Sequence, residues 1–567
     1  HRIPVVDSQE TKRRLGRRFA WQMDVLINTS ENDRAMGPEE TLSSRRCAGV
    51  CLHITSLAGD YGIGELGANA FRFVDAIAEM GLRVWQFLPI GPVTYADSPY
   101  QTASTFAGNP MLIDLAALRD DGLLSNEDLA VLPQLPRDRV DFGALIPLKT
   151  ELLYRAAQRF NDTADESRRS ARAAFVAGNG SEWLDNYALF QVLREKHQRR
   201  AWPEWDPVYA RRDPESLRAA AATSAAAIER VKTVQFLFFE QWWRLKSHAE
   251  KKGIALMGDL PIYAALDSAD VWERQDLFAL DDTGTPTEVG GVPPDYFSAD
   301  GQRWGNPLYR WEKHAEDGYA WWTARLRHLT RMLDIIRLDH FRGFEAYWAV
   351  PGWAESAREG EWRPGPCAAL FEALENSLGK LPIIAEDLGI ITPEVETLRR
   401  QFQLPGMKVL QFMIGNFDFN LADVPSDCVC YTGTHDNDTT AGWFNGGPGD
   451  RRTAEDVAHN QRVVLGHTGG SPENVHADLI RLAFASQAKL AIIPMQDFLG
   501  LGSHARMNTP GTIENNWRWR MRAGALTLEL IAWVRGMVAG SGRYCHDGAH
   551  DFYAGPILDA VAGEERQ

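Results

Sequence analysis

The chain has 567 residues, enough for a large core and more than one small domain needs. A hydrophobic content of 44% with 24% charged residues is that of a soluble globular protein. The net charge of −16, with no long basic block, argues against nucleic acid or an anionic membrane surface as partner, and no run approaches the ~18 apolar residues of a membrane span.

Residues 1–46 are polar and mixed in charge, with a basic cluster at Lys12, Arg13, Arg14, Arg17 and Arg18. They are read as an N-terminal extension without an assigned role, and their acidic residues argue against a transit peptide. From Gly49 the rhythm changes. An apolar run at 50–54 predicts a short buried strand, and a glycine-rich stretch, LAGDYGIGELG, follows it. Residues 68–80 have the apolar spacing of a helix, stopped by Gly81, and 84–88 predicts a second strand. Strand, helix and strand in that order imply parallel pairing through a crossover.

Six further apolar runs, at 254–257, 335–338, 382–385, 407–412, 428–431 and 490–493, bring the strands to eight. Six of the eight lead into polar or acidic loops. This pattern predicts an α/β fold, a (β/α)8 TIM barrel whose site lies at the C-terminal strand ends. A doubly wound open sheet is the alternative, but no glycine-rich phosphate fingerprint supports it. Since a barrel needs about 250 residues, the surplus of a catalytic barrel spanning 47–540 must be insertions around that rim. The larger, at about 95–250, is mostly helical (145–160, 183–197 and 219–249). The smaller, at 284–311, is dense in Gly, Pro and aromatics and is expected to be a long functional loop. Residues 541–567 form a C-terminal tail.

The six cysteines are sparse, and neither Cys47/Cys51 nor Cys428/Cys430 is joined to a second pair at zinc-site spacing. Buried free thiols in a reducing, cytoplasmic setting are the expectation.

The carboxylates carry the chemistry. Asp339 directly follows the fourth run, and Arg337 two residues earlier points the same way along a strand. A guanidinium there keeps the carboxylate ionised, as a nucleophile requires; a structural ion pair gives the same local pattern. Glu386 ends the fifth strand and Asp436 follows the seventh. Retaining glycoside chemistry needs one carboxylate as nucleophile and a second carboxyl as acid and then base. A third can bind sugar hydroxyls and favour ring distortion. Taken singly, each acid is equally a helix cap or an Arg partner; it is the set, with His435 alongside, that points to catalysis. Asp387 turns to the opposite face and reads as structural. Asp339/His340 and His435/Asp436 are metal-ligand types, but no HxH pair or close trio accompanies them, so no metal and no cofactor is expected. A Ser-His-Asp hydrolase would need a G-x-S-x-G elbow, which the sequence lacks.

From about Gly49 to Arg520 the chain resembles the 4-α-glucanotransferases (amylomaltase or disproportionating enzyme) of glycoside hydrolase family 77. HITSLAGDYGIGELG, WQFLPIGP, DSPYQTASTFAGNP, GDLPIYAALDSADVW, GVPPDYFSADGQRWGNPLY, IIRLDHFRGF, IIAEDLG, GTHDNDT and QDFLGLGSHARMNTPG carry the resemblance. It implies Asp339 as nucleophile, Glu386 as general acid/base and Asp436 as transition-state stabiliser. It also implies sugar binding by Ser98, Tyr100, Asp259, Gln302, Trp304, Arg337, His435 and Asn508, with Tyr296 and Phe297 in a loop covering the groove. The implied partners are α-1,4-glucans such as maltooligosaccharides, starch or glycogen chains; the oligomeric state stays open. Ala58 stands where the family often has Pro, Gly290 where Ala is common, and Cys367 where Gly often follows Gly-Pro. A hydrolytic α-glucosidase or amylase is the alternative enzyme. A glycan-binding protein on the same barrel is the alternative outside catalysis, and retention of all three acids argues against it.

Overall fold

Eight parallel strands curl into a barrel in the computed structural model, which describes residues 46–132, 134–294, 299–415 and 419–544. They are β1 (Cys47–Cys51), β2 (Val84–Gln86), β3 (Ala255–Leu260), β6 (Ile335–Leu338), β9 (Ile383–Ala385), β10 (Gly406–Val409), β11 (Cys428–Tyr431) and β12 (Leu490–Pro494). The hydrogen-bonded order is β10-β11-β12-β1-β2-β3-β6-β9. All eight predicted strands are present, with shifted ends: 84–88 is strand only to Gln86, and 254–257 becomes Ala255–Leu260. β1 begins and ends earlier than the apolar run, because Ile54–Ser56 closes into a 3-10 turn at the barrel mouth. The run at 407–412 is strand only to Val409; Leu410–Ile414 is helical.

β9 and β10 lie at the two ends of that order, and a seam runs between them. The Ala385 N–H donates to Pro405 O at 2.8 Å. Beyond it the Asp387 carboxylate accepts the Met407 N–H at 2.6 Å, with Arg399 Nε 3.3 Å away. Gly406 makes this approach possible, since a Cβ there would stand 2.4 Å from the carboxylate.

Alternation along the strands sorts the core into two layers. Val84, Ala255, Met257, Ile335, Ile384, Met407, Val429, Tyr431, Leu490 and Ile492 fill the barrel interior. Their neighbours, such as Trp85, Leu256, Ile336 and Ile493, face the surrounding helices. The helix Ala68–Glu79 shows the outer packing: Ala70, Phe73, Val74 and Ile77 form its buried stripe, and Gly81 (φ +81°) ends the turn behind it.

The predicted helical insertion is present as Phe142–Thr163, Glu166–Asn179, Asp185–Lys196 and Pro214–Thr223, and the 27-residue helix Ala225–Lys251 follows. That long helix packs on the insertion with its first half and on Ala68–Glu79 and β3 further along, so it joins rim to barrel. The segment 284–311 is ordered where described rather than a plain loop. β4 (Glu288–Val292) and β5 (Gln302–Pro307) form a hairpin, and with β7 (Ala346–Pro351) and β8 (Glu361–Pro364) they make a second, antiparallel sheet in the order β5-β4-β7-β8. Two sequence readings, the N-terminal extension up to residue 45 and the tail from 545, lie outside the described residues.

Arg543, fully buried, donates to Cys47 O, Phe484 O and Ser486 O and so ties the end of the described chain to the start of β1. Among the described residues no helix is long and apolar enough to cross a membrane.

Candidate active site

Strand parity assembles the site. Met257 and Ile335 point into the barrel, so Asp259 and Arg337, two residues on, do the same, and the register of β3 on β6 sets them opposite each other. Asp339 continues the inward parity of β6, as Glu386 continues that of Ile384 on β9. The apolar barrel core thus ends in a polar cap of alternating acids and one guanidinium.

Arg337 Nη1 donates to Asp259 Oδ1 and Oδ2 at 2.8 and 2.7 Å and to Asp339 Oδ1 at 2.9 Å. From Asp259 the contacts continue outward. The Tyr100 hydroxyl donates to Asp259 Oδ2 at 2.7 Å, and its oxygen lies 2.9 Å from His435 Nε2. With the Tyr100 proton committed to Asp259, His435 is the donor in that second contact, which places its proton on Nε2. The same nitrogen is 3.4 Å from Asp436 Oδ1, which also accepts from Asn508 Nδ2 at 2.6 Å. One continuous chain of contacts therefore runs from Asp339 through Arg337, Asp259, Tyr100 and His435 to Asp436 and Asn508. Tyr100 and His435 stack at 5.3 Å, with Trp517 beside both at 5.9 Å.

Glu386 joins from the next strand, held by backbone. His340 N–H donates to its Oε2 at 2.7 Å and Leu388 N–H to its Oε1 at 3.0 Å. Burial pushes Glu386 up to about 8; the Arg337 guanidinium opposes this and the Asp339 charge adds to it. Burial also raises Asp259 and Asp339, and Arg337, in direct contact with both, pulls them back. Asp339 keeps 24% of its side chain exposed, while Glu386 is buried and has no direct cation contact. Arg337 thus favours the ionised form of Asp339, while burial favours the protonated form of Glu386. Burial keeps His435 neutral against the pull of Asp436.

The other predicted residues divide. Trp304 stands edge-on to His340 at 4.9 Å and near Tyr263 at 6.2 Å, and its Nε1 donates to Gln302 Oε1 at 3.2 Å, so β5 brings both to the site. Ser98 serves the turn below Tyr100, its hydroxyl accepting the Tyr100 N–H at 3.3 Å. Tyr296 and Phe297 lie outside the described residues. Asp387 faces the seam, away from the other acids, as its parity predicts. Sequence reading missed the backbone donors at His340 and Leu388, which no side-chain pattern reveals. It also passed over Tyr263 and Trp517, although Tyr263 falls within a motif already singled out. Among the described residues no group of three or more His, Cys, Asp or Glu side chains is placed to hold a metal ion.

The family described as 4-alpha-glucanotransferase matches residues 52–527. The chain is 46% identical to the 4-alpha-glucanotransferase of Synechocystis sp., over 84% of this chain and 94% of that one. It is 44% identical to the 4-alpha-glucanotransferase of Thermus thermophilus, over 88% and 99%. Among solved structures, amylomaltase from Streptococcus agalactiae in complex with acarbose superposes with a TM-score of 0.83 at 35% identity, covering 88% of this chain and 100% of that one.

Proposed function

We infer the function from one premise: the chain belongs to the 4-alpha-glucanotransferase family. It is a glucan-transferring enzyme acting on α-1,4-glucans. In our reading Asp339 attacks the anomeric carbon of the donor while Glu386 gives its proton to the glycosidic oxygen of the departing chain. A glucosyl ester on Asp339 results. Glu386, now a carboxylate, takes the proton from the 4-hydroxyl of an acceptor glucan, whose oxygen displaces Asp339. Two inversions at one carbon retain its configuration. Asp436 binds sugar hydroxyls and favours the distorted ring. Ser98, Tyr100, Asp259, Gln302, Trp304, Arg337, His435 and Asn508 line the groove.

The observation that carries this reading is the split in surroundings: Glu386 buried and raised to about 8, Asp339 bound to Arg337. An acid ready to give a proton beside an ionised nucleophile is what the first step requires. Transfer in place of hydrolysis needs an acceptor sugar to outcompete water, and the aromatic wall built by Trp304 and Tyr263 supports it. Maltooligosaccharides and the chains of starch or glycogen are the substrates we propose. The buried thiols of Cys47, Cys428 and Cys430 support a cytoplasmic setting.

Incubation with maltotriose alone tests the activity. Glucose together with maltopentaose and longer chains is the expected product set. Glucose and maltose only, with reducing ends rising steadily, would replace transfer by hydrolysis, and no turnover would leave a binding protein.

A further inference from the structure

His340, between the nucleophile and the turn Phe341–Phe344, has φ +48° and ψ +51°. It is one of eleven non-glycine described residues with positive φ, a conformation that costs a bulky side chain about 1–2 kcal/mol. Its ring Nε2 is buried without a partner among the described residues, and burial drives the imidazole pKa down to about 4, so the ring is neutral. What the turn does achieve is on the backbone. His340 N–H donates to Glu386 Oε2 at 2.7 Å and Phe341 N–H to Glu386 O at 3.1 Å. In an extended chain two consecutive N–H groups point to opposite sides; the φ and ψ of the residue between them decide whether they converge. At His340 they converge on one residue of the neighbouring strand.

We propose that the left-handed turn at His340 is a positioning device, through which the chain carrying the nucleophile grips Glu386 one residue later and fixes the acid relative to Asp339. This rests on the reading of Glu386 as acid/base. The backbone is the working part. The imidazole packs edge-on against Trp304 and limits the space at Gly343, where a Cβ would come within 3.0 Å of the ring. Glycine adopts the left-handed region freely and asparagine tolerates it, whereas a β-branched valine does not.

The test compares His340→Gly, His340→Asn and His340→Val in single turnovers, with maltotriose and with α-maltotriosyl fluoride, whose leaving group needs no protonation. Glycine and asparagine should keep kcat for maltotriose within about fivefold, because both hold the turn. Valine should lose about 100-fold, the scale of an ångström-sized misplacement of a reacting group, with KM little changed. Its loss on the fluoride should be at least tenfold smaller, since only the acid is displaced. A valine variant that merely folds poorly would lose both donors equally, and that result overturns the proposal. So does a loss with glycine and asparagine equal to that with valine, which would assign the role to the ring. Glu386→Gln separates the underlying reading: it should fail on maltotriose and work on the fluoride. Full activity of that variant on maltotriose would remove the acid/base assignment itself, whatever the His340 series shows.

Discussion

Two of the three acids are held by strands and the third by loops. Asp339 and Glu386 follow the last residues of β6 and β9 directly, under a guanidinium and two backbone N–H groups. Asp436 stands five positions beyond β11, 47% exposed, with the Asn508 amide and the His435 ring as its side-chain contacts. Strand-end groups inherit their placement from the hydrogen-bonded ladder and need few private supports. A loop acid depends on side chains that could be arranged otherwise. The pair we propose to make and break the bond is therefore built into the barrel, while the acid we propose to bear on the shape of the bound sugar is held by side chains.

The largest effects should come from the strand-held pair. Asp339→Ala is expected to lower turnover by about 10⁴-fold or more with both maltotriose and α-maltotriosyl fluoride, because no group can take over the covalent step. Glu386→Gln should cost about 10³-fold on maltotriose and little on the fluoride in single-turnover assays. If the fluoride fails to rescue it, Glu386 does more than move a proton, and the two strand acids cease to be separable.

For the loop acid, Asp436→Asn should cost about 10²–10³-fold. Asn508→Ala should cost about tenfold in the wild-type background and nearly nothing in Asp436→Asn, as measured by a double-mutant cycle. Additive losses would mean that Asn508 meets the sugar by itself and that the loop acid stands without it. The pH dependence sharpens the strand side. Formation of the glucosyl ester from maltotriose should fall about tenfold per unit above about pH 8, as Glu386 loses the proton it must give. That limb should vanish with the fluoride. On the acid side the rate falls as Asp339 takes up a proton, and burial puts this above the ordinary carboxylate value.

The smallest effect concerns strain away from the chemistry. Cys367, at the start of the helix Cys367–Leu378, has φ +46°, a conformation that glycine adopts without strain. Its thiol lies 3.6 Å from Glu345 O, a weak contact. Cys367→Gly should raise stability by about 0.5 kcal/mol in chemical denaturation, the relief of the left-handed conformation slightly exceeding the entropy cost of glycine, and leave kcat unchanged. Strain at His340 holds an acid; strain at Cys367 holds nothing that reacts.

Much of this was legible in the sequence, for a physical reason. A barrel strand is buried on both faces, so it appears as a contiguous apolar run, and parity then sends Arg337, Asp339 and Glu386 inward without knowledge of any neighbour. The side sheet was not legible. Its strands β4 (EVGGV) and β7 (AYWAVP) lack an apolar-polar alternation, β8 is largely exposed, and the pairing of β4 with β7 joins segments some sixty residues apart. The left-handed turn at His340 escaped as well, because histidine carries no signal for it. Gly290 shows how a small departure becomes intelligible only in three dimensions: a Cβ there would press to 2.5 Å on the ring of Tyr263, the neighbour of Trp304.

The seam between β9 and β10 gives the barrel the character of a split hoop fastened by a clasp. A closed hoop has no preferred place to yield, but this one does, and Glu386 sits on the free end. The clasp is one backbone hydrogen bond, from Ala385 to Pro405, and one carboxylate reaching over a glycine to the Met407 amide.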